Sequence, residues 1–117
     1  MSTIVQTEQE RQGILSALAD EQSRRILQAT RYKAKSANDL MREEGIPKTS
    51  LYRKLDELLK AGLILPDRFE FAADGKKYEL FVSKYETIDV RFGASVEIEV
   101  TFSRLFSAKT SRFFSID

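Results

Sequence analysis

The sequence predicts an α+β chain with its helices first and its strands after them, and three observations lead there. Apolar residues recur at helical spacing as far as Leu59, then at a spacing of two beyond Gly62. Glycines fall where such elements should end or turn, at Gly45, Gly62, Gly75 and Gly93. The length, 117 residues with no linker-like stretch, suits one domain with one core.

The first helix opens at Thr7, because Thr7-Glu8-Gln9-Glu10 has the spacing of a capping box, and Ile14, Leu15 and Leu18 form its apolar stripe. Asp20 is a good N-cap for a second helix running to about Ala29, with Ile26 and Leu27 inward. Ser36-Ala37-Asn38-Asp39 caps a third, whose apolar side is Ala37, Leu40 and Met41 and whose end is near Gly45. Pro47 starts the fourth, where a fixed φ helps and a missing N–H costs little. Its leucines, Leu51, Leu55, Leu58 and Leu59, recur on one helical face until Gly62 closes it. Only Gly45, Ile46 and Pro47 separate the third and fourth helices, and so short a connection containing glycine marks a helix-turn-helix.

After Gly62, Phe69 and Phe71 alternate with Arg68 and Glu70, and Tyr78, Leu80 and Val82 alternate with Glu79 and Phe81. Asp74-Gly75 between them signals a hairpin turn with Lys76 and Lys77 beside it. In a second hairpin Ile88, Val90 and Phe92 face Val96, Ile98, Val100 and Phe102 across Gly93-Ala94, which suits a type II′ turn with glycine first. Glu97, Glu99 and Thr101 form its wet face. Leu105, Phe106, Phe113, Phe114 and Ile116 make the tail too apolar to be free, so a short C-terminal helix or a covering arm is expected. The helices and the basic-tipped hairpin together make a winged helix-turn-helix, with residues 7–83 as its core and 84–117 as a hairpin and dimerisation extension.

Composition narrows the function. The chain has no histidine and no cysteine, which removes most zinc sites, the Ser/His and Cys/His nucleophile pairs and thiolate chemistry. Five glycines leave no phosphate-cradling loop, and no cofactor or metal is expected. Glu43-Glu44 and Glu97/Glu99 read as helix-end and strand-surface residues, so an enzyme is not expected. No apolar run approaches the ~20 residues of a membrane span, and the N-terminus lacks the order of a secretory signal, which points to a cytoplasmic protein. Net charge is only +1, yet Gln22 to Lys54 holds nine basic residues against three acids. That surplus of six leaves the rest of the chain at −5, a polarity that favours a polyanion on one face.

The stretch GIPKTSLYRKLDELLKAGLI, Gly45 to Ile64, resembles the recognition-helix segment of ArsR-like winged helix-turn-helix regulators. Ala17-Leu18-Ala19-Asp20-Glu21 followed by Arg24-Arg25-Ile26-Leu27 looks like the start of that domain, and the TIDVRFGASVEIEV hairpin is most like archaeal members. The resemblance covers about Ile14 to Ser83 and more weakly reaches Phe102. It implies a double-stranded DNA partner and a transcriptional role. It does not extend to metal sensing, because the Cys and His ligands of the metal-sensing members are missing here.

In helix-turn-helix docking the first turns of the second helix enter the major groove, which nominates Lys48, Thr49, Ser50, Tyr52, Arg53 and Lys54. Arg53 suits guanine O6/N7, and the hydroxyls of Thr49, Ser50 and Tyr52 suit phosphate or base edges. Lys33, Lys35, Ser36 and Asn38, around the start of the third helix, are expected at phosphates, and Lys76 and Lys77 at the adjacent backbone or minor groove. A homodimer is expected, since one winged helix reads only a few base pairs. Its interface is expected at Ile4, Val5, Ile14, Leu105, Phe106, Phe113, Phe114 and Ile116, with a tail folded over its own second hairpin as the alternative. Two other functions fit the same residues: a winged-helix protein-interaction module of the transcription machinery, and a weakly specific chromatin-like DNA-binding protein.

Overall fold

Thr7, Asp20 and Ser36 each begin a helix in the computed structural model, which describes residues 2–108. Thr7 Oγ1 accepts the Glu10 N–H at 3.1 Å, opening α1 (Glu8–Leu18). Asp20 Oδ2 accepts the Ser23 N–H at 2.8 Å, opening α2 (Glu21–Ala29). Ser36 and Asp39 cap reciprocally at 3.1 and 3.0 Å to open α3 (Ala37–Glu44), which Gly45 ends in the left-handed conformation at φ 66°. Pro47 is the residue before α4 (Lys48–Lys60) rather than its first, and it supplies no side-chain cap. Among the described residues no helix is long and apolar enough to cross a membrane.

The strands form two antiparallel three-stranded sheets. In the first, β2 (Lys35–Ser36), β4 (Lys77–Ser83) and β3 (Ile64–Phe71) lie in that order, and β3–β4 is the expected basic-tipped hairpin. In the second, β1 (Ser2–Ile4), β6 (Val96–Phe102) and β5 (Tyr85–Phe92) lie in that order. A helix-turn-helix formed by α3 and α4 and followed by the β3–β4 wing makes the chain a winged helix-turn-helix.

β1 and β2 have no counterpart in the sequence pattern. β1 pairs with β6 through Thr3 and Val100, and the Val5 N–H continues the ladder to the Ile98 carbonyl at 2.9 Å. Such short strands exist only through a distant partner, so local pattern carries little trace of them.

One core joins both halves of the chain. Ile14, Ile26, Leu40, Leu51 and Leu55 from the helices meet Phe81, Tyr85, Ile98 and Val100 from the strands and Val5, just after β1. A second, smaller cluster of Ala34, Leu80 and Val82 is covered by Leu65 and Leu105. β4 is therefore covered on both faces and is buried from Leu80 through Ser83, which defeats the expected alternation there.

Three buried hydroxyl residues tie the elements together. The Ser83 N–H donates to the Thr30 carbonyl, at the end of α2, at 2.9 Å. Ser103 Oγ donates to the Ser83 carbonyl at 2.6 Å and accepts the Phe106 N–H at 3.1 Å. Ser103 thus starts the helical residues 104–108, and these buried polar atoms find partners in one another, as burial requires.

Two turns of phase depart from the expected pattern. Register slips between Pro66 and Arg68, a bulge at Asp67, so Phe69 pairs with Glu79 and Phe71 with Lys77. Side chains alternate along a strand, so one extra residue moves every later side chain to the other face. The phenylalanines consequently share a face with Glu79 and Lys77 rather than with Tyr78 and Leu80. The second hairpin brings its two apolar sets face to face as expected, Ile88 with Val100, Val90 with Ile98 and Phe92 with Val96. Its turn does not match: Phe92–Val96 pairing leaves three loop residues, Gly93, Ala94 and Ser95, and Gly93 does not take the positive φ of a type II′ turn.

Candidate nucleic-acid interface

α4 turns Leu51, Leu55 and Leu58 inward and leaves Lys48, Thr49, Tyr52 and Arg53 exposed, with Ser50 at the boundary. Its first turn is electrostatically unlike those of the other helices. α1, α2 and α3 each carry an acidic residue and a side-chain cap there, whereas α4 has neither. The first intrahelical bond runs from the Leu51 N–H to the Pro47 carbonyl at 2.9 Å, so the amides of Lys48, Thr49 and Ser50 lack intrahelical acceptors. Unpaired amides at the positive end of the helix dipole attract anions, and Lys48 adds a charge beside them. Asp56, the first acid along that face, is bound by Lys60 at 2.9 Å.

Lys54 belongs to the fold rather than to this surface. Its side chain is 14% exposed and its ammonium sits 3.1 Å from Asp20 and 4.0 Å from Glu57. The Ser23 N–H and then Lys54 hold the Asp20 carboxyl below its ordinary pKa. Lys35 is similar, with its side chain 18% exposed and its ammonium on Glu43. Ser36 is buried and spent on the α3 cap, while the Asp39 carboxyl is held low by the Ser36 N–H and by Arg42.

The same accounting applies to the whole basic segment. Arg24 donates to the Leu18 carbonyl, Arg25 to the Glu44 carbonyl and Arg31 to the Glu86 carbonyl, and Arg42 pairs with Asp39. Of the nine basic residues between Gln22 and Lys54, Lys33, Lys48 and Arg53 have no ion pair or hydrogen-bonded side-chain partner among the described residues. The surplus of six seen in sequence overstates what the surface offers a polyanion.

The wing adds to those three. Gly75 takes φ 83° at its tip, and Asp74 Oδ1 accepts the Lys76 N–H at 2.9 Å, which fixes the turn with Lys76 and Lys77 exposed. Lys77 Nζ lies 3.9 Å from the centre of the Phe69 ring. Phe71 on the same face is 73% exposed. A shallow cleft between α3 and the wing is lined by Asn38, Arg42, Phe71 and Tyr78, so exposed Asn38 stands beside the wing. Phe69 and Phe71 were not among the residues expected at DNA. The bulge at Asp67 sets which face they occupy, and their alternation with charged residues was the sole signal in the sequence. Tyr32, exposed beside Lys33, was likewise not expected there.

The residues expected at a dimer interface are dispersed. Val5 and Ile14 are buried in the chain's own core, because β1 pairs with β6 and α1 packs over it, so they are closed to a partner. Ile4 is exposed. Leu105 covers the second cluster, and the Phe106 ring stacks on Phe102 with centres 5.4 Å apart, so this part of the tail folds onto its own chain. Phe113, Phe114 and Ile116 lie outside the described residues.

Comparison with known proteins yields a match to a helix-turn-helix domain model over residues 11–66, from α1 into the start of β3. No curated protein matches the chain. Among solved structures, HlyU from Vibrio cholerae N16961 is similar, at 17% sequence identity and a TM-score of 0.45, over 90% of this chain and 91% of that one.

Proposed function

We propose that this protein is a transcriptional regulator, ArsR-like and akin to the archaeal members its sequence resembles, that binds double-stranded DNA as a homodimer. The first turns of α4 lie in the major groove and the wing lies along the neighbouring backbone or minor groove. The observation that carries this reading is the exposed, acid-free and uncapped first turn of α4, with Lys48, Thr49, Tyr52 and Arg53 outward and its leucines in the core.

Arg53 reads base edges, with guanine as its preferred partner, and Tyr52 and Thr49 make base or backbone contacts. Lys33, Lys48, Asn38, Lys76 and Lys77 set position on phosphates without selecting sequence. Regulation follows from occupancy, by occlusion or recruitment at a promoter, with no covalent step.

Selection from randomised duplexes tests this directly. A recurring, two-fold symmetric motif supports it. Tight retention with no enriched motif favours chromatin-like coating instead, and failure to retain duplex overturns DNA as the partner. On the selected site Arg53→Ala relaxes base preference and costs about 1–3 kcal/mol, whereas Lys76→Ala weakens all sequences alike. Equal behaviour of the two variants removes α4 from the recognition role.

A further inference from the structure

β5 is the edge strand of its sheet, with β6 on one side and no strand on the other among the described residues. Near its base the edge is covered, because the Arg31 guanidinium donates to the Glu86 carbonyl at 3.2 Å. From Thr87 outward it is open, and its sequence there is Thr87-Ile88-Asp89-Val90-Arg91-Phe92. Exposed edges are usually blunted by proline, charged side chains or a bulge. β3, the edge of the other sheet, has two of those devices in Pro66 and the bulge at Asp67. The outer part of β5 has neither proline nor bulge, its only register shift lying at the base between Tyr85 and Thr87, and its two charges, Asp89 and Arg91, are of opposite sign.

We propose that two copies of this chain pair antiparallel along the outer edges of β5 about Val90, joining their sheets into one that is continuous across the dimer. This register sets Val90 against its own symmetry mate, Ile88 against the partner's Phe92, and Asp89 against the partner's Arg91. Each heterotypic pair occurs twice, as an isologous two-fold interface requires.

The isolated chain leaves each of these groups poorly matched. Phe92 is 84% exposed and Val90 is also exposed, on the face that holds Ile98 and Val100 in the core. Asp89 lies directly across from Glu99, and like charges opposite each other destabilise a sheet. Arg91 faces Glu97 but comes no nearer than 4.0 Å to it. The partner's Arg91 relieves the Asp89–Glu99 pair, and the partner's Ile88 gives Phe92 an apolar neighbour. A one-residue slip in either direction ends this match, because charged and apolar residues then face each other.

This surface deepens the homodimer part of the proposed function and rests on it, but it requires no DNA. Sedimentation of the full chain at micromolar concentration tests it. The unaltered protein is expected to be a dimer. Asp89→Arg and Arg91→Asp each place two like-charged pairs across the axis and should weaken association at least about tenfold. The double variant Asp89→Arg/Arg91→Asp restores opposite charges and should return association to within about threefold of the original. All of these positions are exposed, and unchanged thermal melting at low concentration checks that the fold is kept; Val90→Lys serves as a second probe of the same pairing. Dimers insensitive to both single changes and to Val90→Lys overturn the surface while leaving a dimer in place. A monomer at tens of micromolar overturns the dimer itself, and neither outcome touches DNA binding by α4.

Discussion

The two hairpins project from one core, and each carries phenylalanine into solvent and four acidic residues, yet only the wing sets a pair of lysines at its tip. The wing ends in Lys76 and Lys77, with Lys77 lying over Phe69. The second hairpin carries Glu86, Asp89, Glu97 and Glu99 against Arg91. A phosphate backbone attracts the two lysines at the wing tip and repels the acids of the second hairpin. Their edges differ in the same sense. β3 is bent and interrupted at Pro66 and Asp67, whereas the outer part of β5 is regular and self-complementary. Exposed aromatic residues therefore do not by themselves mark one kind of partner. In the proposed reading the wing-tip lysines meet nucleic acid and the second hairpin meets a second copy of the chain.

Exchanging the charges is the strongest way to break this contrast. Lys76→Glu with Lys77→Glu should weaken every duplex by about tenfold or more at moderate salt. The salt slope should also fall by about 1 for each phosphate that is no longer neutralised. Glu97→Lys with Glu99→Lys should not weaken duplex binding at all. Parity between the two double variants in a fluorescence anisotropy titration removes the distinction.

Ser103→Ala addresses what the hairpins share. It removes the bond to the Ser83 carbonyl and the acceptor for the Phe106 N–H inside a fully buried site. A loss of about 1–3 kcal/mol in urea unfolding is expected, with a single transition, because both hairpins rest on one core. Two separate transitions would show instead that the second hairpin folds on its own.

Paired truncations of the exposed rings give smaller effects. Phe71→Ser should weaken DNA binding and leave sedimentation unchanged, whereas Phe92→Ser should weaken the dimer and affect DNA binding only through it. At concentrations too low for dimers, melting temperature should barely move in either, since both rings are largely in water in the single chain. The converse pattern, Phe92→Ser impairing DNA binding alone, reverses the assignment.

The smallest effect is that of acid. Asp20 and Asp39 have folded pKa values below their unfolded ones, held there first by the Ser23 and Ser36 amides and then by Lys54 and Arg42. Their contribution is present in full above the unfolded value of about 4 and is lost as pH falls through the folded one. Urea midpoints should be flat from neutrality to about pH 5 and then decline. Asp20→Asn should flatten part of that decline, and an identical pH profile in this variant counts against the Asp20 cap.

What could be read from sequence was what is determined locally. Caps at Thr7, Asp20 and Ser36, the stop at Gly45, the leucine face of α4 and the apolar alternation of the second hairpin all depend on residues within a few positions. What escaped depends on distant partners. β1 exists because of β6, and Lys54 is neutralised by Asp20 from outside its own helix. Val5 and Ile14 look like spare apolar surface until β6 is laid beside them. The same limit explains the interface. Arg53, Lys48 and Lys76 stand outward as their positions imply, but Lys35, Ser36 and Lys54 are engaged within the fold. One bulged residue, Asp67, decides which face Phe69 and Phe71 occupy, and alternation alone leaves that choice open.

The salt dependence of specific binding tests the central claim most directly. With Lys33, Lys48, Arg53, Lys76 and Lys77 presented by each of two chains, the logarithm of affinity for the selected duplex should fall linearly with the logarithm of salt concentration. Neutralising ~4–8 phosphates per dimer gives a slope of about −4 to −7. An affinity that hardly moves between low and physiological salt contradicts a phosphate-gripping α4 and wing, and with it DNA as the partner of this protein.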